Sequence, residues 1–439
     1  MYVIGGGRLF TFWSELLYLE DGAAAVEGGT ITEVGRTDEL RIKYPDAEFI
    51  DAHGGLIMPG FINAHTHTHL TLARGCASLA GKGCGFAESD RARLEGSMTF
   101  SDSVDSAYAA YIECIKNGVT TVMDMHLNAA DPRGTLLAAA GAACDTGIRT
   151  ALGCGICGSC GREKLAEFIL ENREFGDFCN NSGSDIISPM LCAERLYSLD
   201  ESDLSECLST SSNCGGIGIA VSESLDDYYH AKHQFGVTPV EMLDKCGLIG
   251  KTTLLAHCDH IKESEARLIK KAEAAVAFVP YGEGSFSGSD AFKTLLSYGT
   301  VIALGTDGYA NDMLDALKRA AALAGDGSHG SVDPGTLVHL LMHGSADAAS
   351  RIFRRELGVI KPGACADIIT LDYIPFTTLN ADNLYLHMLS GMSGSQCTNT
   401  MVNGSLLMHD RRLLTVSREH TFERTRETAK RLWERTEKA

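Results

Sequence analysis

Short apolar runs broken by glycine turns open the chain. AAAVEGGTITEVG (23–35) alternates apolar and polar residues and turns at Gly28-Gly29, which predicts paired strands over residues 1–57. From about residue 58 to 350 the pattern changes. Apolar runs such as VTTVMDM (119–125), TTLLAH (252–257) and TVIALGTD (300–307) alternate with segments of helical period. SDSVDSAYAAYIECIKNG (101–118) is one such helix, with a Ser/Asp start and an Asn-Gly stop, and residues 334–356 predict another. ADIITLDY (366–373) and NTMVNGSLLMHD (399–410) return to strands around a turn at Asn403-Gly404. Residues 417–439 read as a charged, exposed helix. Strand–helix alternation of this length predicts a parallel α/β barrel or a doubly wound sheet. The strand-rich ends predict one small β domain, with the α/β part inserted between them.

Several of the apolar runs end on a residue capable of chemistry. FINAHTH ends at His65 and His67, TTVMDMH at Asp124 and His126 on a predicted third strand, GIAVSE at Glu223, LLAH at His257, and VIALGTD at Asp307. In a parallel barrel the active site lies at the C-terminal ends of the strands. Any one of these residues could merely cap a helix; together they point to a metal-assisted site. Histidines two apart on a strand face one side, so His65 and His67 can meet one divalent ion. Such an ion brings the pKa of a bound water toward about 7, and a nearby glutamate and histidine can then move protons. NAHTHTHL (63–70) carries a third histidine, His69. It is read as a barrel-mouth contact to substrate or solvent.

The bulk numbers narrow the partners. The 439 residues carry a formal charge of −19, which argues against nucleic acid or an anionic membrane. No apolar run reaches membrane-spanning length, and no export signal is visible. Fifteen cysteines in such a chain are expected to be reduced thiols in a cytoplasm. CGICGSC places Cys154, Cys157 and Cys160 in a C-x2-C-x2-C run. A Gly/Cys-rich barrel loop is the preferred reading, with a soft-metal site or redox-sensitive thiol cluster as the alternative. His230 and His233 fall on a solvated helix face, and GDGSHGSVDPG (325–335) reads as a surface turn.

MPGFINAHTH, LLAHCDH, LGTDGY and GVIKPGACADIITLD together resemble the amidohydrolase superfamily, in its cytosine/guanine deaminase and chlorohydrolase branch. KYPDAEFIDAHGGLIMPGFINAHTH, LGTDGYANDML, DYIPFTTLNADNLYLHMLSGMSG and RLWER are similar, within that branch, to the SsnA aminohydrolases. The resemblance implies a (β/α)8 barrel over residues 58–357, a composite β-sandwich from 1–57 with 358–416, and a C-terminal helix at 417–439. It also implies one divalent metal ion, zinc or iron, and hydrolysis of a C–N bond in a small purine-like heterocycle. His65, His67 and Asp307 would hold the metal. Asp307, Glu223 and His257 would be catalytic, and His126 and His69 would contact substrate. A homo-oligomer is left open.

The chain departs from that pattern in three places. Ala220 stands where relatives carry a ligand histidine, three residues before the glutamate. Phe278-Val279-Pro280 replaces a His-Asn-Pro stretch, and the loop GCASLAGKGCGFAESDR (75–91) is short and poor in aromatics. Two expectations follow: an aminohydrolase with a modified site, in which His69 covers the shortage left by Ala220, or a non-catalytic binding or assembly protein on the same fold.

Overall fold

Two glycines in the left-handed region, Gly28 (φ 56°) and Gly29 (φ 85°), close the turn that the sequence places between its second and third strands. The computed structural model describes residues 1–79, 88–281, 289–308, 310–324 and 332–439; residues 80–87 of the loop after the first barrel strand and 325–331 of the predicted surface turn at 325–335 lie outside them. The N-terminal strands are β1 (Tyr2–Trp13), β2 (Leu16–Glu27), β3 (Thr30–Arg36), β4 (Glu48–Asp51) and β5 (Leu56–Pro59). Eight parallel strands follow: β6 (Phe61–Thr66), β7 (Val119–His126), β8 (Arg149–Ile156), β9 (Ile187–Ala193), β10 (Gly216–Val221), β11 (Thr253–His257), β12 (Ala275–Phe278) and β13 (Val301–Leu304). The chain ends with β14 (Ile368–Leu371), β15 (Cys397–Val402), β16 (Ser405–His409) and β17 (Arg412–Leu413).

The eight parallel strands run in sequence order and make a (β/α)8 barrel of mixed α/β class. Thr306 and Asp307 donate backbone N–H bonds to the His65 carbonyl (2.8 and 3.1 Å), closing the last strand onto the first. Every residue of β7, β8 and β9 is buried, because helices cover a parallel sheet on its outer face; such strands read as apolar runs rather than alternations. The terminal strands form one nine-stranded sheet, ordered β17-β16-β15-β14-β5-β1-β2-β3 with β4 on β1. β5 and β14 join the two halves of the chain, pairing Pro59 with Ile368 and Leu56 with Leu371. The Asn403-Gly404 turn has both residues at positive φ, as a two-residue hairpin requires.

The C-terminal helix Arg418–Thr436 is less exposed than its charge suggests. Thr421, Thr425, Thr428, Leu432 and Thr436 are buried along one face. Thr428 donates to Asp105 (2.7 Å), and the Trp433 indole donates to the Leu72 carbonyl (2.7 Å). The stripe has helical spacing but consists mostly of threonine, so a hydrophobicity pattern does not reveal it. Among the described residues no helix is long and apolar enough to cross a membrane.

Candidate active site

Each expected catalytic position falls where a barrel strand gives way to its loop. His65 lies in β6 and His67 just beyond it; His257 ends β11; Glu223 and Asp307 follow β10 and β13. Their side chains converge on one oxygen. Asp307 Oδ1 is 3.2 Å from His65 Nε2, 3.0 Å from His67 Nε2 and 3.8 Å from His257 Nε2. Glu223 Oε2 lies 3.8 Å from His257 Nε2. The ligand-capable atoms of His65, His67 and Asp307 all lie within 4.8 Å of one another, as do those of Glu223, His257 and Asp307. Backbone strain marks the same place: Arg195, Ser222, His257 and Asp307 hold positive φ values of 49°, 52°, 68° and 55° without being glycine. Strain of this kind costs on the order of 1–3 kcal/mol per residue and collects at functional sites.

The donors fit a divalent cation. His67 Nδ1 donates to the Met125 carbonyl (2.7 Å), which turns its Nε2 toward Asp307 (3.0 Å); a ring held in this way orients metal-binding histidines. Burial lowers the His65 pKa to about 4, against the pull of Asp307, so its imidazole is neutral at pH 7. Burial would raise the Asp307 carboxyl, but hydrogen bonds from His65 and His67 overturn this and hold it well below the usual range. Among the described residues both ring nitrogens of His257 and Nδ1 of His65 are buried without a hydrogen-bond partner. Imidazoles around an anionic carboxylate, with buried donor atoms left over, suit a divalent metal ion such as zinc.

A second ionic cluster leans on the first. Glu194 directly follows β9; Arg91 and Glu95 come from the helix Glu88–Glu95. Arg91 Nη2 donates to Glu194 (2.6 Å) and its Nε to Glu95 (2.9 Å). That Nη2 is 3.3 and 3.2 Å from the two ring nitrogens of His67. Near-equal distances place the guanidinium over the imidazole rather than in line with one lone pair, a stacking mode that arginine favours. Burial and Arg91 lower the His67 pKa, but Glu194 and Asp307 outweigh them and the net shift is upward. Arg195 donates to Glu95 from the other side (2.7 Å). None of these residues was expected from the sequence. Glu194 had a signal, since ISPMLCA ends on it as the other strands end on theirs. Arg91, Glu95 and Arg195 had none.

His69 and His126 lie outside the ligand group. His69 is fully buried in the 3-10 helix Thr68–Ala73. Its Nδ1 accepts from Leu127 N–H (3.1 Å), and its Nε2 is 3.3 Å from Glu95. Both nitrogens are thus engaged, so His69 does not cover the shortage at Ala220. His126 ends the second barrel strand rather than a third; its Nδ1 is 3.3 Å from Thr68 Oγ1, and its Nε2 is buried and unpartnered. Ala220 pairs with Ala256 in the β10–β11 register and offers only a methyl group. His230 contacts the Leu199 carbonyl (3.2 Å), while His233 is exposed; among the described residues neither belongs to a metal-capable group.

Comparison with known proteins gives the family and supports the fold. Residues 56–407 match the model of the Amidohydrolase family. A 5-methylthioadenosine/S-adenosylhomocysteine deaminase from Desulforamulus reducens is 29% identical over 439 residues, covering 98% of both chains. One from Pyrococcus furiosus is 28% identical, covering 91% of this chain and 93% of its own. Among solved structures, a zinc-bound adenosine deaminase from Xanthomonas campestris superimposes with a TM-score of 0.86 at 21% identity, over 98% of each chain. Zinc-bound atrazine chlorohydrolase TrzN from Arthrobacter aurescens TC1 gives 0.80 at 21% identity, over 98% of this chain and 100% of its own. With its family model spanning most of the chain and its strand-end residues gathered at one barrel mouth, the protein belongs to the amidohydrolase family and is a hydrolase of carbon–nitrogen bonds other than peptide bonds.

Proposed function

We propose that this protein is a metal-dependent aminohydrolase that removes the exocyclic amino group of a purine-like heterocycle, releasing ammonia. The observation that carries this reading is the convergence of three imidazoles on Asp307 Oδ1, with buried nitrogens left unpartnered. Histidines 65 and 67 with Asp307 would hold the ion. When bound, such an ion acts as a Lewis acid that makes water a nucleophile near neutral pH.

The chain's own groups do the proton work. Asp307 is held anionic and accepts a proton from the attacking water. Glu223, with about half of its side chain exposed (47%), carries a proton to the leaving amino group. His257 faces the reacting carbon with a free nitrogen and hydrogen-bonds the oxygen that forms there. Phe278 is stacked on Phe292 with ring centroids 4.6 Å apart and packs with Val276 and Leu295 behind His257. His126 offers Nε2 to the substrate. His69 supports the site from behind, through Glu95. Arg91 neutralises Glu194 and Glu95 and keeps the His67 ring in place.

The names of the relatives favour adenine-type nucleosides as the first substrates to try, in purine catabolism, and the cysteine-rich composition favours a cytoplasmic setting. A non-catalytic binding protein has Ala220 in its favour, but the deaminase relatives give it no support. The test is ammonia release from a panel of aminopurine bases and nucleosides by zinc- or iron-loaded protein, beside Asp307→Asn. Turnover of any member by wild type alone is expected. No turnover across the panel with a fully loaded metal site would overturn the reading.

A further inference from the structure

We propose that Cys157 and Cys160 form a reversible dithiol–disulfide site that reacts with small organic disulfides. CGSC (157–160) connects β8 to the helix Arg162–Ser182, the strand–CxxC–helix setting in which paired thiols act as redox centres. The two Sγ atoms are 3.4 Å apart. A disulfide needs about 2.05 Å, so the two sulfurs are in contact but must draw together before the bond forms. Cys160 is partly exposed and Cys157 is buried, so an incoming molecule meets Cys160 and the resolving thiol waits behind it. Arg195 Nη1 lies 3.7 Å from Cys157 Sγ and Ser159 Oγ 3.6 Å from it. Both favour an anionic sulfur there. The hydrogen bond from Cys160, with the Arg195 charge, lowers the Cys157 pKa to about 7 against the cost of burial. Cys154 stays out: it is buried within β8 with its thiol pushed well up by burial. Among the described residues no metal-capable group includes these cysteines.

The exchange balances without a further reactant. The Cys157 thiolate acts as general base: as Cys160 Sγ attacks one sulfur of the small disulfide and expels one thiolate, the Cys160 proton passes to Cys157. That thiolate takes the proton from Cys157. Cys157 Sγ then attacks Cys160 Sγ, the intramolecular disulfide forms, and the second thiolate leaves and is protonated from solvent. Two electrons pass from the protein to the small disulfide. The lost charge is felt first by Arg195, whose other arm holds Glu95 beside His69 and Arg91.

The test uses the full chain incubated with oxidised glutathione near pH 7.5, blocked with an alkylating agent and digested for mass spectrometry. The expected product is a Cys157–Cys160 linked peptide, two hydrogens lighter than the reduced pair and restored by dithiothreitol. Cys157→Ser should instead trap glutathione on Cys160, while Cys160→Ser should leave Cys157 unmodified. The exposed Cys144 reports that the oxidant is active. Glutathione on Cys144 with Cys157 and Cys160 still reduced would overturn the proposal, as would stoichiometric zinc or iron lost on Cys157→Ser. The readout is covalent mass, so it stands or falls independently of the hydrolase reading.

Discussion

Two buried ionic clusters sit at opposite ends of the barrel, and they are built differently. At the N-terminal end, Arg149 opens β8 and is fully buried. Its Nε and Nη2 meet both oxygens of Asp367 at 2.8 and 3.0 Å, and its Nη1 donates to the Asp185 carbonyl (2.5 Å). Asp367 also accepts from Asn403 N–H (2.7 Å). The pair ties the barrel to the terminal sheet, and its donors and acceptors are met. At the C-terminal end the reverse holds. Around Asp307 the described structure leaves His65 Nδ1, both nitrogens of His257, His126 Nε2 and Glu194 Oε1 buried and unpartnered. A buried polar atom without a partner costs about 1–3 kcal/mol. A saturated cluster holds the fold together; an unsaturated one keeps room for something else to bind.

The sharpest way to break this contrast is Asp307→Asn. It should cut turnover roughly 10²–10⁴-fold and lower metal content, with the thermal midpoint unchanged or raised. A loss of stability in proportion to activity would mean that the two clusters are of one kind. Next comes Asp367→Ala, which strands a buried guanidinium and should lower the unfolding free energy by about 3–5 kcal/mol in urea titrations. The folded fraction should retain its kcat. The paired replacement Arg149→Met with Asp367→Leu should recover most of that stability, since a well-packed apolar pair can replace a buried ion pair.

Ala220→His adds an imidazole beside the metal donors. Metal retention against a chelator should rise at least 10–100-fold, the range that even indirect partners of a metal contribute. Unchanged retention would show that the site is not one ligand short. The smallest effect is expected from Asp227, an intermediate case. Its carboxyl accepts from the N–H groups of Ser222 and Tyr197 (2.8 and 3.2 Å), and among the described residues it has no ion-pair partner. Burial raises its pKa to about 7. The native state therefore binds the proton that the unfolded chain has lost above about pH 4. Asp227 is most favourable below that point, and its contribution falls as pH rises through 7. The unfolding free energy of wild type, relative to Asp227→Asn, should decline from pH 4 to 7. A flat difference would place Asp227 with the saturated cluster.

Much of the barrel was legible because its strands are largely apolar runs of four to eight residues that give way to polar ones. The same rule located His65, His67, His257, Glu223 and Asp307, and applied to ISPMLCA it would have found Glu194. Arg91 and Glu95 were beyond its reach. They lie on a helix, and nothing local says that Arg91 will meet a carboxylate from a strand about a hundred residues later. The threonine face of the last helix was hidden for a related reason: burial there follows packing against Asp105 and Leu72, not the residues' own polarity.

The stretch NAHTHTHL divides along the same line. Period-two spacing on a strand is a local property, so the sequence by itself determined that His65 and His67 share a face. Only the tertiary structure decided the third histidine. Asp124 takes both the amide and the hydroxyl of Thr68 (2.9 and 2.5 Å), and Ser106 donates to the carbonyls of Thr68 and His69 (2.7 and 3.0 Å). These contacts from two other elements turn the chain into a 3-10 helix just after His67. His69 is swung out of register and toward Glu95. Strand periodicity holds only while the strand lasts, and where this one ends is set by residues far away in the chain.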